Sequence, residues 1–430
     1  MTDRDQQSAA VPRLFGTAFR EHPEAAHRSL RAAGPVAWAE VADGVRVLVV
    51  TDHAAARELL GDPAYTRDPG TWEALARDSV PPGLALMYAG GLQHTDAEEH
   101  QRLRRVVDDC LACVDLHSIR RGVQRYAREL VKSFARRGHA DLMAEFAERV
   151  AVHTLVELLG GTADIAEQVR AYAWPVVDAL PEAAEASGEL NRALGEVVAA
   201  KRARPGADVT SWMLAHPAAL GDREAELLLR SMVLLGATST AAWIGTTLHA
   251  LLTEPAYAGE LVGGAVTIRD AMDATLATRC PVVNASVHYA RRPTTLHGVA
   301  IPAGVPILIG HAATGPAPAR PGMPRSRDRS HLAWSAGPHR CPAQAVASTI
   351  AEAAIETVVD ALWDLSTPTP AISGRPGPFR RCPAHLGVLF APDGGRGADG
   401  PPARGDGEPV VDTDSGSGLK GVTAGHVVPA

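Results

Sequence analysis

The sequence predicts a mainly α-helical globular protein with small β-sheets on its N-terminal side and in its C-terminal third. Three observations carry this. Of 430 residues, 46% are hydrophobic and 21% charged, which suits a large buried core and excludes a disordered or collagen-like chain. From about Glu98 to Leu252, Ala, Leu, Arg and Glu recur at helical spacing, helix after helix. Residues of high β propensity cluster in two patches, 37–50 and 282–309.

Residues 1–15 read as a flexible arm; they begin Met1-Thr2-Asp3-Arg4 and contain no apolar run of the kind that marks a signal peptide. Residues 16–391 read as a single domain. Within it, Asp43-Gly44 stands between two β-rich runs, a strong hairpin signal. Thr51-Asp52 offers N-cap oxygens for a helix to about Leu60. Gly138 breaks the helical run, and Asp141 is placed to cap the next helix. The stretch Ser231 to Thr253 has no charged residue but carries seven Ser and Thr hydroxyls and His249. A membrane span needs about 20 mostly apolar residues; a helix buried on all sides in a globule explains this stretch better. Pro302-Ala303-Gly304 marks a turn in the second β patch, and 315–330 is a Pro- and Arg-rich loop. A last long helix is expected from Cys341 or Pro342 to about Leu362. From 392 to 430 the chain is Gly, Pro and Asp with few apolar residues, the composition of a disordered tail.

The formal net charge of −7 argues against nucleic-acid binding. Five scattered cysteines suit a reducing, cytoplasmic setting. Cys110 and Cys113 have redox or metal spacing, but they sit in a helical run without a second pair. Cys280 and Cys382 read as packed thiols.

Cys341 carries the chemistry. A helix-poor, Gly-containing loop precedes it and an unbroken helical pattern follows, so its sulfur faces the positive end of a helix, which stabilises a thiolate. One sulfur cannot build a closed zinc site, but it can be the single axial ligand of haem iron. By spacing alone, a packed thiol at a helix start is the stronger alternative. The neighbours reverse that. Trp334-Ser335-Ala336-Gly337-Pro338-His339-Arg340-Cys341-Pro342-Ala343 resembles the haem loop of the cytochrome P450 family, Phe-x-x-Gly-x-His/Arg-x-Cys-x-Gly, with Trp for Phe and Ala for the last Gly. The resemblance extends over most of 15–390. It implies the P450 fold, haem b as cofactor, Cys341 as its axial ligand, and Trp334 and Gly337 as parts of the haem loop. His100 and Arg104, four apart on one helical face, are similar to the pair that holds a haem propionate in the family, with His339 as a further contact. A surface His and a solvated Arg are the bland alternative.

Leu235-Gly236-Ala237-Thr238-Ser239-Thr240 lies where the family has Ala/Gly-Gly-x-Asp/Glu-Thr-Thr. The resemblance assigns Gly236, Ser239 and Thr240 to the oxygen side of the haem. Thr238 stands where the family has its acid, so the ionisable relay partner is missing. Either the hydroxyls order water, or they bond back to the carbonyl one turn earlier. The family's Glu-x-x-Arg pair falls on Ala274 and Ala277; a slipped register would offer Asp273 and Arg279 instead, but they are not three apart, and the Arg that follows on the next strand is replaced by His288 or lies elsewhere. Loss of both partners strands no charge. The combination is similar to a divergent actinobacterial subgroup lacking that pair.

The resemblance implies a haem-thiolate monooxygenase acting on a small apolar or natural-product molecule, with O2 and electrons from a ferredoxin and its reductase. Arg102, Arg105 and Arg340 offer a basic face for an acidic ferredoxin, or merely a solvated one. The missing acid and ion pair allow an alternative: a P450-shaped protein without hydroxylase activity, serving as haem sensor, peroxygenase or operon-encoded auxiliary protein.

Overall fold

The computed structural model describes residues 11–254, 257, 267–314, 330–369 and 373–392. All of these belong to the unit Met1–Asp393. Residues 1–10 of the expected arm, nearly all of the Pro/Arg run 315–330 and the expected tail from 393 onward lie outside the described residues. Residues 11–15 depart from the arm expectation. Leu14 is fully buried, its N–H donates to the Glu40 carbonyl at 2.8 Å, and the Glu40 N–H donates to that of Pro12 at 3.0 Å. One apolar side chain and two backbone hydrogen bonds pin this segment to the first strand.

That strand, β1 (Val36–Ala42), pairs antiparallel with β2 (Val45–Val50) around Asp43-Gly44, where Gly44 takes the left-handed φ of +72°. Asp52 caps the following helix, His53–Gly61, by accepting the Ala55 N–H at 2.9 Å. The remaining strands are β3 (Tyr65–Thr66), β4 (His139–Asp141), β5 (Asn284–Ala290), β6 (Thr294–Leu296), β7 (Val299–Ile301), β8 (Pro306–Gly310) and β9 (Gly387–Leu389). The two β patches, separate in sequence, form one five-stranded sheet in the order β1-β2-β8-β5-β3, with β2 parallel to β8. The turn at 302–304 joins β7 to β8 but does not pair them: β7 pairs with β6, and β8 with β2 and β5.

Between the patches the helical reading holds, broken at Gly138 (φ +71°) and by the short strand β4. Asp141 accepts the Met143 N–H at 3.0 Å, and the chain then passes through a widened π turn, Met143–Ala147, into the helix Glu148–Leu158. The uncharged stretch is the central helix, Thr238–Thr253, in which every residue from Thr240 to Leu251 is buried. The longer helical stretch Asp222–Thr253 is apolar enough to cross a membrane, but 67% of its most apolar window is buried within the fold. Trp243 donates to the Met272 carbonyl at 3.1 Å and so ties the central helix to the helix Ile268–Thr278. The last long helix, Gln344–Ala361, begins later than expected, with Ala343 as its N-cap, so Pro342 lies in the preceding turn.

Gly245, on the central helix, sits against the Met143 thioether, where an added Cβ would overlap the sulfur. Gly245→Ala should therefore cost about 1–3 kcal/mol of unfolding free energy in urea titration, the usual penalty for overpacking. His27 is fully buried edge-on against Phe19, neither ring nitrogen has a partner, and burial lowers its pKa to about 4. Below pH 6.5 the unfolded chain takes up a proton that the folded chain refuses, so stability falls as pH drops from 6.5 towards 4. His27→Leu should flatten that fall by up to about 3 kcal/mol, read from unfolding curves across this window.

Candidate active site

The site is built on the loop before the last helix. The Cys341 N–H donates to the Trp334 carbonyl at 2.9 Å and closes the loop on itself. Gly337 takes a φ of +66° and passes so close to the Leu60 carbonyl that a Cβ would overlap its oxygen, so both conformation and space require glycine. Arg104, on the helix Ala97–Ala112, donates through Nη1 to the loop carbonyls of Pro338 (3.1 Å) and Arg340 (2.6 Å), and through Nε to Asp108 (2.8 Å). It clamps the loop. Burial, the larger influence, pushes the Cys341 thiol up, while the backbone at Ala343 and the nearby charges of Arg104 and Arg340 favour the thiolate.

Cys341 lines a cavity of about 320 Å3. Leu86, Met87, Leu155, Leu158, Met232 and Leu235 give it apolar walls, and Gly236 and Ser239 supply the face from the central helix and the turn before it. Trp334 also lines it, edge-on to Trp243 at 5.4 Å. Thr240 is buried but is not among the lining residues: helical rotation turns it away from the face that carries Gly236 and Ser239. Residues Met232–Ala237 form a π turn, a widening often found at functional sites. The Thr238 hydroxyl donates to the Leu234 carbonyl at 2.5 Å, so the back-bonded alternative holds there.

One end of the cavity is rich in hydrogen-bond donors. His100 and His339 lie with ring centroids 3.9 Å apart, and both have pKa values lowered by burial and by the charges of Arg67 and Arg104. His94 joins them, with a pKa of about 4. Sequence reasoning missed Arg67, which looks like part of a solvated turn in Thr66-Arg67-Asp68. It is only 5% exposed, its Nε has no partner, and its pKa falls to about 10, which leaves it charged at neutral pH. His100 Nε2 likewise has no partner. His288 is buried; its Nδ1 lies 2.5 Å from the Ser286 carbonyl, beyond a β-bulge in β5 where Ser286 has a φ of +60°.

Ala274 and Ala277 carry no charge, and Arg279 does not compensate for them, since it pairs with Glu254 at 2.8 Å. Instead, Arg269 reaches Glu352 (Nε to Oε1 3.1 Å), and Arg120 pairs with Glu352 (3.4 Å) and Glu356, tying neighbouring helices to the last one. Of the expected basic face, Arg102 is paired with Glu99 and Glu224, while Arg105 and Arg340 stay exposed. Cys110 is buried and Cys113 exposed, so that pair does not converge; Cys280 and Cys382 are buried thiols, each with its pKa pushed up to about 12.

These residues fit a haem. An unpaired buried cation and imidazoles at one end suit propionate carboxylates, apolar walls suit the ring, and a half-buried thiol stands at the cavity surface for the iron.

No protein-family model matches the chain. It is 29% identical over 306 residues to the vitamin D(3) 25-hydroxylase of Pseudonocardia autotrophica, covering 70% of this chain and 75% of that protein. It is 28% identical over 380 residues to the mycinamicin IV hydroxylase/epoxidase of Micromonospora griseorubida, covering 84% of this chain and 94% of that one. The structure of CYP154A1 from Streptomyces coelicolor A3(2) superposes with a TM-score of 0.78 at 28% identity, covering 86% of this chain and 97% of that one. CYP154C4 from Streptomyces sp. W2061 superposes with a TM-score of 0.80 at 25% identity, covering 88% and 98%. With a closed cysteine loop, a donor-rich end and a widened central helix around one cavity, the chain has the P450 fold and is similar in sequence to actinobacterial cytochrome P450s, which are haem-b oxidoreductases.

Proposed function

We propose that this protein is a cytoplasmic monooxygenase that places one atom of O2 into a small apolar or natural-product molecule, with electrons from a ferredoxin and its reductase. The observation that carries the reading is the convergence of Cys341, the His100–His339 pair, Arg67 and the Gly236–Ser239 face on one apolar cavity. The hydroxylase and epoxidase names of the relatives, with vitamin D3 and mycinamicin IV as their substrates, support the substrate class. Haem b bound there would supply oxygen activation and one-electron chemistry. The overall change is R–H + O2 + 2 e− + 2 H+ → R–OH + H2O.

The chain's own residues have separate tasks. Cys341 would hold the iron from the loop side, with Gly337, Trp334 and Arg104 fixing the loop that presents its sulfur. His100, His339 and Arg67 would hold the propionates. The leucine and methionine walls exclude bulk water and orient an apolar substrate. Gly236 leaves room beside the central helix, and Ser239 is the hydroxyl at the cavity that can hold a water and pass on a proton. Thr238 cannot donate to that water while its hydroxyl donates to the Leu234 carbonyl. Arg105 and Arg340 are the exposed cations on the Cys341 side that an acidic ferredoxin would meet.

The lack of an ionisable side chain on this face of the central helix favours a second reading, use of hydrogen peroxide: R–H + H2O2 → R–OH + H2O. This stoichiometry needs no proton delivery.

Dithionite-reduced, haem-loaded protein should give the red-shifted carbon-monoxide Soret band of a thiolate ligand, and Cys341→Ala should lose it. A wild-type protein without that band would end the haem-thiolate reading. Turnover of apolar test substrates should proceed with O2, ferredoxin, reductase and NADPH. Turnover with peroxide alone, and none with the electron-transfer chain, would select the second reading.

A further inference from the structure

Two arginines whose Nε atoms are buried and unpartnered line the cavity, Arg67 and Arg380. They belong to different surroundings. Arg67 is the charge that most depresses His288 and His339, so it sits with the donor-rich end. Arg380 acts on a separate neighbourhood of Asp178, Cys280, Cys382 and His311.

Backbone bonding fixes where Arg380 stands. The Val283 N–H donates to the Phe379 carbonyl at 3.1 Å, and the Arg381 N–H to that of Pro281 at 2.8 Å. The Asn284 side chain donates to the Pro378 carbonyl at 2.7 Å. The segment carrying Arg380 is thus zipped to 281–284, itself part of the cavity wall.

The guanidinium is 3% exposed, and its one hydrogen bond among the described residues is from Nη1 to the Phe379 carbonyl at 3.3 Å. Asp178, the carboxylate whose charge Arg380 feels, is held by Arg375 through one oxygen, while its Oδ1 has no partner. Asp178 Oδ2 accepts from Arg375 Nε at 2.8 Å, Glu148 lies 3.3 Å from Arg375 Nη1, and Arg375 stacks on Trp174 at 3.9 Å. Asp178 attracts Arg380 without hydrogen-bonding to it. Burial lowers the pKa of Arg380 to about 10, so it remains a cation at neutral pH. A buried planar fork with most of its donors unused, at the wall of an apolar cavity, is matched by a carboxylate.

We propose that Arg380 is a specificity residue that receives the carboxylate of an amphipathic organic acid, whose apolar body lies along the leucine and methionine walls. The proposal rests on the haem-thiolate reading above and narrows its substrate class.

The test measures dissociation constants by calorimetry on haem-loaded protein at neutral pH. The ligands are straight-chain alkanoates from hexanoate to hexadecanoate, with the alcohols and methyl esters of the same lengths. The best alkanoate should bind about 10- to 100-fold tighter than its neutral counterparts, as expected for hydrogen bonds to a charged group. Arg380→Leu should abolish the preference, and Arg380→Lys should keep part of it. Haem content and the carbon-monoxide band are read on every variant. Haem-loaded wild type that binds no alkanoate better than its alcohol overturns this proposal alone, as does a preference that survives Arg380→Leu. Loss of haem in Arg380→Leu with retention in Arg380→Lys would make Arg380 a haem contact and overturn it too. Wild type that takes up no haem overturns the parent reading, and this proposal with it.

Discussion

The placement of one sulfur rests mainly on backbone geometry. Cys341 is presented at the cavity because its N–H closes onto the Trp334 carbonyl, Gly337 passes against Leu60, and Arg104 grips two loop carbonyls. Each tie reaches a different element: the loop itself, the end of the His53–Gly61 helix and the Ala97–Ala112 helix. A cysteine on a freely moving loop would have no fixed direction towards an iron. Here the direction is over-determined, and Arg104 serves the site through the loop that it holds.

The second constraint is charge. Arg67 and Arg380 are buried cations whose Nε atoms lack partners, and buried guanidinium is costly without an anion. Haem propionates would relieve the first; a substrate carboxylate would relieve the second. The neutral imidazoles of His94, His100, His288 and His339 cluster with Arg67 because burial and that cation both oppose their protonation. The cavity is also lined from the central helix, buried from Thr240 to Leu251 and preceded by a π turn that contains Gly236.

The missing Glu-x-x-Arg pair leaves no stranded charge, because Ala274 and Ala277 remove both partners at once. Cohesion around the last helix comes instead from Arg120 and Arg269 converging on Glu352 and Glu356, and from Trp243 bonding to the Met272 carbonyl. Such half-exposed pairs contribute modestly one by one and matter here as a network.

Local chemistry is what the sequence could express. The Asp43-Gly44 hairpin, the Asp52 cap, the buried uncharged helix and the loop ending in Cys341 depend on neighbours within a few residues, and each could be read directly. His100 and Arg104 were legible as a helical pair, and both line the cavity, but the grip of Arg104 on the loop carbonyls was not legible. Long-range packing decided the rest. The union of the two β patches through β2 and β8, the anchoring of Leu14, the later start of the last helix and the turning of Thr240 away from the cavity all depend on contacts between distant segments. Arg67 and Arg380 make the same point most sharply. In sequence they look like solvated loop cations; burial turns them into binding groups, because desolvation leaves a guanidinium in need of a partner that its own segment does not supply.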